Sequence, residues 1–320
     1  MIEARRVELA TGVLSVEVRE TVFTLDELCA FAARNNRKRG FLFVSKVLGK
    51  HWPATPLQMR RMHEYLASRL DVGGSVLFIA MAETATGLGQ GIFEAYLNRR
   101  CANDALFLHT TRYRVPGREF VGFEETHCHA PQHNLYLPAD RVHRHLFRNA
   151  QELVLVDDEI STGSTFCNLV EAYRRYNPGL KRVHFVAITD FSGADGAVCF
   201  SARLAVPVTC VAALSGAFAF APGSVEPCET APSAVGNQRC APGFVAEGLG
   251  RFGVDGPTRR GFRGYTWLCR RTCQRRAGAG AGYGRIHAYR FSHWPGTGSA
   301  RLRDPGASHH ALPPPGGRGR

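Results

Sequence analysis

The residues best suited to chemistry concentrate in one stretch, Leu153 to Tyr176, which reads LVLVDDEISTGSTFCNLVEAYRRY. Three acids follow one another without a break, Asp157, Asp158 and Glu159, and lead into the hydroxyl-rich turn Ser161-Thr162-Gly163-Ser164-Thr165. No charged residue stands between Ile160 and Asn168. A glycine that lets the backbone come close, together with four hydroxyl donors, makes a cradle for an anion. The acids just upstream would repel a bare phosphate. They suit a ligand that also carries a diol, because carboxylates accept hydrogen bonds from vicinal hydroxyls. A phosphate and a diol in one small molecule describe a sugar phosphate.

The flanking residues place this turn. Leu153 to Val156 is an apolar run short enough for a buried strand. Phe166, Leu169, Val170 and Tyr173 recur at helical spacing on one face, and Asn177-Pro178-Gly179 stops the helix. The cradle therefore sits at a helix N-terminus, where unpaired N–H groups and a partial positive charge favour an anion. An apolar run, two acids and a T-G-S-T turn resemble the phosphoribosyl pyrophosphate (PRPP) motif of the type I phosphoribosyltransferases. The resemblance implies that Asp157 and Asp158 bind the ribose hydroxyls. It implies too that Ser161, Thr162, Gly163, Ser164 and Thr165 wrap the 5′-phosphate, with magnesium bridging the pyrophosphate and ribose of PRPP. The plainer reading is an acidic loop capping an ordinary helix. The stretch is not a Walker A loop, since it lacks the Gly-Lys-Ser/Thr signature.

Three other loops carry candidates. Lys46, Lys50 and His51 follow an apolar run that starts at Phe41, and two lysines beside Gly49 suit a polyphosphate. Between the apolar run Val76 to Met81 and a helix ending at Arg99 lies Ala82-Glu83-Thr84-Ala85-Thr86-Gly87-Leu88-Gly89. It resembles the pyrophosphate loop of orotate phosphoribosyltransferase-like enzymes, which implies that Glu83, Thr84, Ala85, Thr86 and Gly87, with Lys46 or Lys50, stabilise the leaving pyrophosphate. The run from Gly87 to Gly91 lacks the spacing of a dinucleotide fingerprint. The long polar stretch Thr110 to Leu137 holds Arg112, Arg114, Arg118, Glu124, Glu125, His127, His129 and His133. It reads as a loop with substrate or pyrophosphate contacts, and the resemblance implies a lid at this point. A metal site at His127, His129 and His133, or an inert loop, are the other readings. Asp157, Asp158, Glu159 and Arg112 are the candidate catalytic residues.

These loops need elements to hold them. Leu9 to Phe23 alternates as an edge strand or hairpin, Leu25 to Asn35 is a short helix candidate, and Pro56 to Leu70 reads as a helix. Ala105 to His109, Val183 to Thr189 and Val206 to Leu214 read as further strands. Strands alternating with helices predict an α/β fold of the phosphoribosyltransferase type, with a mostly parallel twisted sheet flanked by helices and then a linker and an irregular tail. The expected division is residues 1–216 as the phosphoribosyltransferase-like domain, 217–258 as linker and start of a C-terminal domain, and 259–320 as a basic low-complexity tail.

The formal net charge of +13 over 320 residues is unevenly placed. The segment after Thr258 carries 13 Arg, no Lys and the single acid Asp304, a net +12, which leaves +1 for everything before it. The main body gives no bulk reason to invoke nucleic acid. The ten cysteines are scattered; Cys269 and Cys273 have no matching second pair, which speaks against zinc. No signal peptide and no apolar run of membrane length is evident, so a cytoplasmic protein with reduced thiols is expected. The expected partners are PRPP and a small-molecule acceptor, with a homodimer among the possible assemblies. The acceptor itself is not readable. A PRPP- or nucleotide-sensing module and a ribosyl-phosphate hydrolase stand as alternatives to the transferase.

Leu214 to Phe220 and Gly250 to Pro257 resemble the junction of one subfamily that joins a phosphoribosyltransferase domain to a C-terminal TRSP domain, and that occurs in bacterial tellurium-resistance and stress gene clusters. The Arg39 to Pro53 and Glu124 to His133 stretches look like it too. The Thr-Arg-Ser-Pro motif that gives the domain its name is absent. The composition after Thr258 reads as an out-of-frame or disordered tail, with a basic nucleic-acid-binding tail as the other reading. Cutting the chain after Thr258 should therefore leave the melting temperature of the main domain within error. A large drop in a thermal melt would show that the tail packs on the core.

Overall fold

A computed structural model describes residues 2–19, 22–34, 39–100, 104–124 and 132–223. The chain begins with a long hairpin, β1 (Ile2–Leu9) and β2 (Gly12–Arg19), then a single helical turn α1 (Leu25–Leu28) and a second hairpin, β3 (Cys29–Ala33) and β4 (Phe41–Ser45). Alternating units come next: α2 (Pro56–Ser68), β5 (Val76–Ala80), α3 (Thr86–Arg99) and β6 (Ala105–His109). After a third hairpin, β7 (Phe120–Glu124) and β8 (Gln132–Tyr136), come α4 (Arg141–Asn149), β9 (Glu152–Val156), the two-residue β10 (Glu159–Ile160) and α5 (Ser164–Arg174). β11 (Arg182–Asp190), α6 (Gly196–Leu204) and β12 (Val208–Pro222) complete the described elements.

The main sheet runs β1-β2-β12-β11-β9-β5-β6, with β10 beside β11. Its centre is parallel: β9 pairs with β5 on one side and with β11 on the other. β5, β6 and β9 are buried along their whole length, as continuous apolar runs in a two-sided sheet must be. Chain order steps outwards from β5 to β6 and in the other direction from β9 through β11 to β12. Right-handed crossovers then send α3 to one face and α5 and α6 to the other. α2 packs with α3, and Phe147 of α4 meets Tyr173 of α5 edge to face at 5.1 Å. The expected mostly parallel α/β sheet flanked by helices is what the chain forms. Among the described residues no helix is long and apolar enough to cross a membrane.

The structure corrects three expectations and adds two elements. The helix expected over Leu25 to Asn35 stops after Leu28, because Cys29 to Ala33 is drawn into the hairpin with β4. The Thr110 to Leu137 stretch is no structureless loop, since β7 and β8 pair within it through buried Val121, Phe123 and Leu135. β1 and α4 form where the residue pattern signals neither. Finally, β12 runs on past Gly216 to Pro222, pairing antiparallel with β2 from Ser215 onwards. The small residues that suggest a linker alternate with Phe218 and Phe220, and both rings pack on Phe41 at 5.1 Å. Residues 224–320, including the junction at Gly250 to Pro257, Cys269, Cys273 and the basic tail, lie outside the described residues, as do His127 and His129.

One polar network staples the end of the sheet opposite the strand C-termini. Glu152 accepts hydrogen bonds from the amides of Gly73 and Gly74 at 2.7 and 3.0 Å and meets Nε2 of His184 at 2.7 Å. His184 Nδ1 reaches the Thr209 hydroxyl at 2.7 Å, so β9, β11, β12 and the loop before β5 are joined. Burial pushes His184 below the ordinary histidine range and outweighs the pull of Glu152. Burial opposes ionisation of Glu152, but the bonds from His184 and the two glycines bring its carboxyl below its ordinary value. On α2, His63 packs over Gly91, where an added Cβ would stand 2.0 Å from its Nδ1, and burial lowers it to about 4.

All three shifts act in one direction. A group whose folded pKa is depressed lends stability above its unfolded value and loses it as pH falls towards the folded one. Thermal melts should be flat between about pH 7 and 8 and fall steadily from about pH 6.5 to 4. His63 alone should contribute on the order of 3 kcal/mol across that window. A His63→Gln variant should show a shallower acid slope; an unchanged slope would remove His63 from this account.

Candidate active site

In an open α/β sheet, ligands gather beyond the strand C-termini where the chain order reverses. Here that point lies between β5 and β9. Ala80 stands opposite Val156, and the amide of Met81 donates to the Val156 carbonyl at 2.9 Å. The loop after β5 and the acids after β9 thus leave the sheet side by side, about 5 Å apart at their roots. β6 adds the segment Thr110 to Arg112 one strand further along.

The acids are held through their backbone. Asp157 N–H donates to Val186 carbonyl at 3.0 Å, and the Asp158 amide donates to the Asp157 carboxylate at 2.9 Å. The Asp158 carbonyl accepts from the amides of Ile188 and Thr189, at 3.2 and 3.3 Å. Both side chains stay partly exposed at the strand end. Glu159 is placed otherwise. It lies on β10, and one nitrogen of Arg39, Nη2, donates to both its carboxylate oxygens at 2.8 and 3.0 Å. Burial raises the Glu159 carboxyl above its ordinary value, the charge of Asp158 adds to this and Arg39 opposes it. Glu159 thus differs from Asp157 and Asp158: the third acid is paired with an arginine that precedes β4.

The turn has the form that its residue types suggest. Gly163 is the N-cap of α5 with φ of 64°, a left-handed conformation that costs other residues roughly 1–2 kcal/mol. An added Cβ would also lie 2.4 Å from the Phe200 ring, so that a larger residue would have to displace the ring. The N-cap glycine has no side chain to cap α5, the Ser164 amide donates to the Thr162 hydroxyl at 3.4 Å, and no acid stands in the first turn, which leaves the amides that follow for an anion. The Thr162 hydroxyl donates to Ser164 Oγ at 3.0 Å, while Ser161 and Thr165 border the same turn.

Beside it, the loop Ala82 to Gly87 is braced from below. The Ala82 amide donates to the Thr110 hydroxyl at 2.8 Å, and that hydroxyl lies 3.3 Å from His133 Nδ1. The Ala82–Glu83 peptide is cis. Gly89 brings α3 against β5, because a Cβ there would meet Ala80 at 2.4 Å. Glu83 and Gly87 face outwards, Thr84 and Thr86 are half-buried, and Ala85 is buried and offers only its backbone. Lys50 donates to the Thr84 hydroxyl at 3.1 Å, so the two loops meet. Lys46 does not join them: its ammonium binds the Asp26 carbonyl at 2.8 Å and lies 5.6 Å above the Trp52 ring. His51 is exposed.

Arg112 comes after the buried Thr110 and Thr111, next to the strand bearing the Ala82 to Gly87 loop. Arg114 lies 5.8 Å from the Phe120 ring, and Arg118 is exposed ahead of β7. His133 is buried on β8 and serves the Thr110 brace; among the described residues no three His, Cys, Asp or Glu side chains gather as a metal set. The β7–β8 hairpin is tied to α5 by Asn168, which donates to the Glu124 carbonyl at 3.0 Å. Sequence reasoning missed Arg39, Thr110 and Asn168. A lone arginine before a strand and a threonine after one carry no periodic or motif signal; only the proximity of Thr110 to the end of an apolar run points to the site face.

A family model described as phosphoribosyl transferase matches residues 28–217. Among solved structures, the chain is similar to the adenine phosphoribosyltransferase of Rhodothermus marinus, at 16% identity over 59% of this chain and 95% of that one, with a TM-score of 0.38. It is similar also to the Trypanosoma brucei enzyme solved with AMP, pyrophosphate and ribose-5-phosphate, at 12% identity over 59% and 77% with a TM-score of 0.40. The orotate phosphoribosyltransferase of Francisella tularensis matches at 16% identity over 59% and 82%, with a TM-score of 0.34. No curated protein matches. The family match spans more than half of the chain, from the end of α1 into β12 and across every loop of the site, and the chain is accordingly a member of the phosphoribosyl transferase family.

Proposed function

We propose that the enzyme transfers the phosphoribosyl group of PRPP to a small acceptor, a nucleobase being the leading class, with release of pyrophosphate. The observation that carries this reading is the pairing of two loops at the switch point: acids and a helix N-terminus with no acid in its first turn after β9, and a small-residue loop joined by Lys50 after β5. Asp157 and Asp158 accept the ribose hydroxyls. The amides at the start of α5, with the hydroxyls of Ser161, Thr162, Ser164 and Thr165, hold the 5′-phosphate. Lys50 and the outward side of Glu83 to Gly87 receive the pyrophosphate, and Arg112 approaches from the β6 side.

Such a site works by charge and position. The donor's bond to pyrophosphate breaks as positive charge builds at the ribose, so groups that hold the departing oxygens more tightly as they gain charge lower the barrier. Magnesium fits the donor set, since it binds through one or two carboxylates together with substrate phosphates; when bound it neutralises charge on the leaving group. Resemblance at Leu214 to Phe220 supports placing the chain in the orotate-like subfamily with a TRSP domain.

The direct test is incubation with PRPP, magnesium and a panel of bases, with pyrophosphate as the readout; production with one base identifies the acceptor. Asp157→Asn with Asp158→Asn should weaken PRPP binding by roughly 1.5–3 kcal/mol for each charge-assisted bond lost, and leave the melting temperature near that of the parent. Calorimetry that finds the same PRPP affinity in the double variant would sink the ribose assignment. Gly163→Ala should lower both melting temperature and PRPP affinity, because its strain of at least about 1–2 kcal/mol falls on the phosphate turn itself.

A further inference from the structure

The third acid has no task in the donor reading. Glu159 lies in the two-residue strand between the ribose-binding acids and the phosphate turn. A PRPP molecule is densely anionic, and a third bare carboxylate at this position would oppose it. Arg39 answers that charge. Its guanidinium bonds both Glu159 oxygens from Nη2 and rests 4.6 Å from the Phe41 ring centroid, with Phe43 at 5.7 Å and Phe218 at 5.6 Å. The aromatic faces favour a cation there and leave little room for water. The ionisable groups acting on Glu159 are Arg39, Asp158 of the preceding turn and Cys29 on β3; its strand partner on β11 is Thr189, with Asp190 opposite Ile160.

We propose that Arg39 is a positioning residue of the donor site, acting through Glu159. It cancels the charge of the third acid and fixes β10, so that Asp157, Asp158 and the phosphate turn are presented to PRPP in one geometry. Because Arg39 belongs to the β3–β4 hairpin, 120 positions away in the chain, the pair also locks that hairpin to the donor loop. Nothing in the family match assigns a role to either residue, and the inference rests on the donor reading given above.

The test is calorimetric titration of the full chain with PRPP and magnesium. Arg39→Met keeps the stem on the phenylalanines and removes the charge. It should weaken PRPP binding roughly tenfold, the scale of one uncompensated charge at short range in a partly screened site. Arg39→Met combined with Glu159→Gln should regain near-parental affinity, and Arg39→Lys should keep most of it. A purely structural arginine would give a loss that the second substitution does not relieve, and that result overturns the proposal, as does parental affinity in Arg39→Met. Failure of the parent chain to bind PRPP overturns the donor reading itself, and the Arg39 proposal with it.

Discussion

The molecule depends above all on the alignment of two parallel strands. β5 and β9 pair in register, and their last bond, from Met81 N–H to the Val156 carbonyl, delivers two loops to one edge at the same height. Neither loop has a core of its own. Each takes its shape from the helix after it and the strand beneath it: Gly163 lets α5 begin close to Phe200, Gly89 lets α3 lie on Ala80, and Thr110 supports Ala82 from β6. A slip of one residue between the strands would turn every side chain to the other face and part the acids from the opposite loop. At the far end of the same strands the Gly73 and Gly74 amides, bound to Glu152 of β9, guard against that slip.

Charge is arranged with similar economy. The main body is nearly neutral, yet a run of three acids stands just after the end of β9. Two of them stay partly exposed, and the third is paired with an arginine that rests against Phe41. Arg39 is thus the counterpart of Lys50 on the other side of the site. One cation meets an acid of the protein, and the other meets a threonine hydroxyl at the loop where an anion would lie.

Much of this is legible in the residues. The stretch Leu153 to Tyr176 states strand, turn and helix in order, because apolar period, glycine and stop signals agree there. Val76 to Arg99 is legible for the same reason. What stays hidden depends on partners far away in the chain. Cys29 to Ala33 carries no strong strand pattern of its own and becomes a strand by pairing with β4. Glu159 reads like its two neighbours until Arg39 is brought to it across the fold. Lys46 and Lys50 are equivalent as letters, yet one reaches Asp26 and Trp52 and the other meets Thr84. The composition of 217–222 suggests a linker, because alanine and proline outweigh two phenylalanines unless their alternation is counted.

The path of β12 has a consequence for how the chain acquires its shape. Its first half extends the parallel centre beside β11, and its second half closes antiparallel on β2, ending where Gly223 N–H meets the Thr11 carbonyl at 2.8 Å. The opening hairpin therefore gains its sheet neighbour only when a segment some two hundred residues downstream arrives. During synthesis at the ribosome that hairpin must wait, its apolar face of Leu14, Val16 and Val18 uncovered, until nearly the whole domain has emerged. Closure of this one strand joins residues 12–19 to residues 215–222, a pairing of high sequence separation whose loop-closure cost falls late in folding.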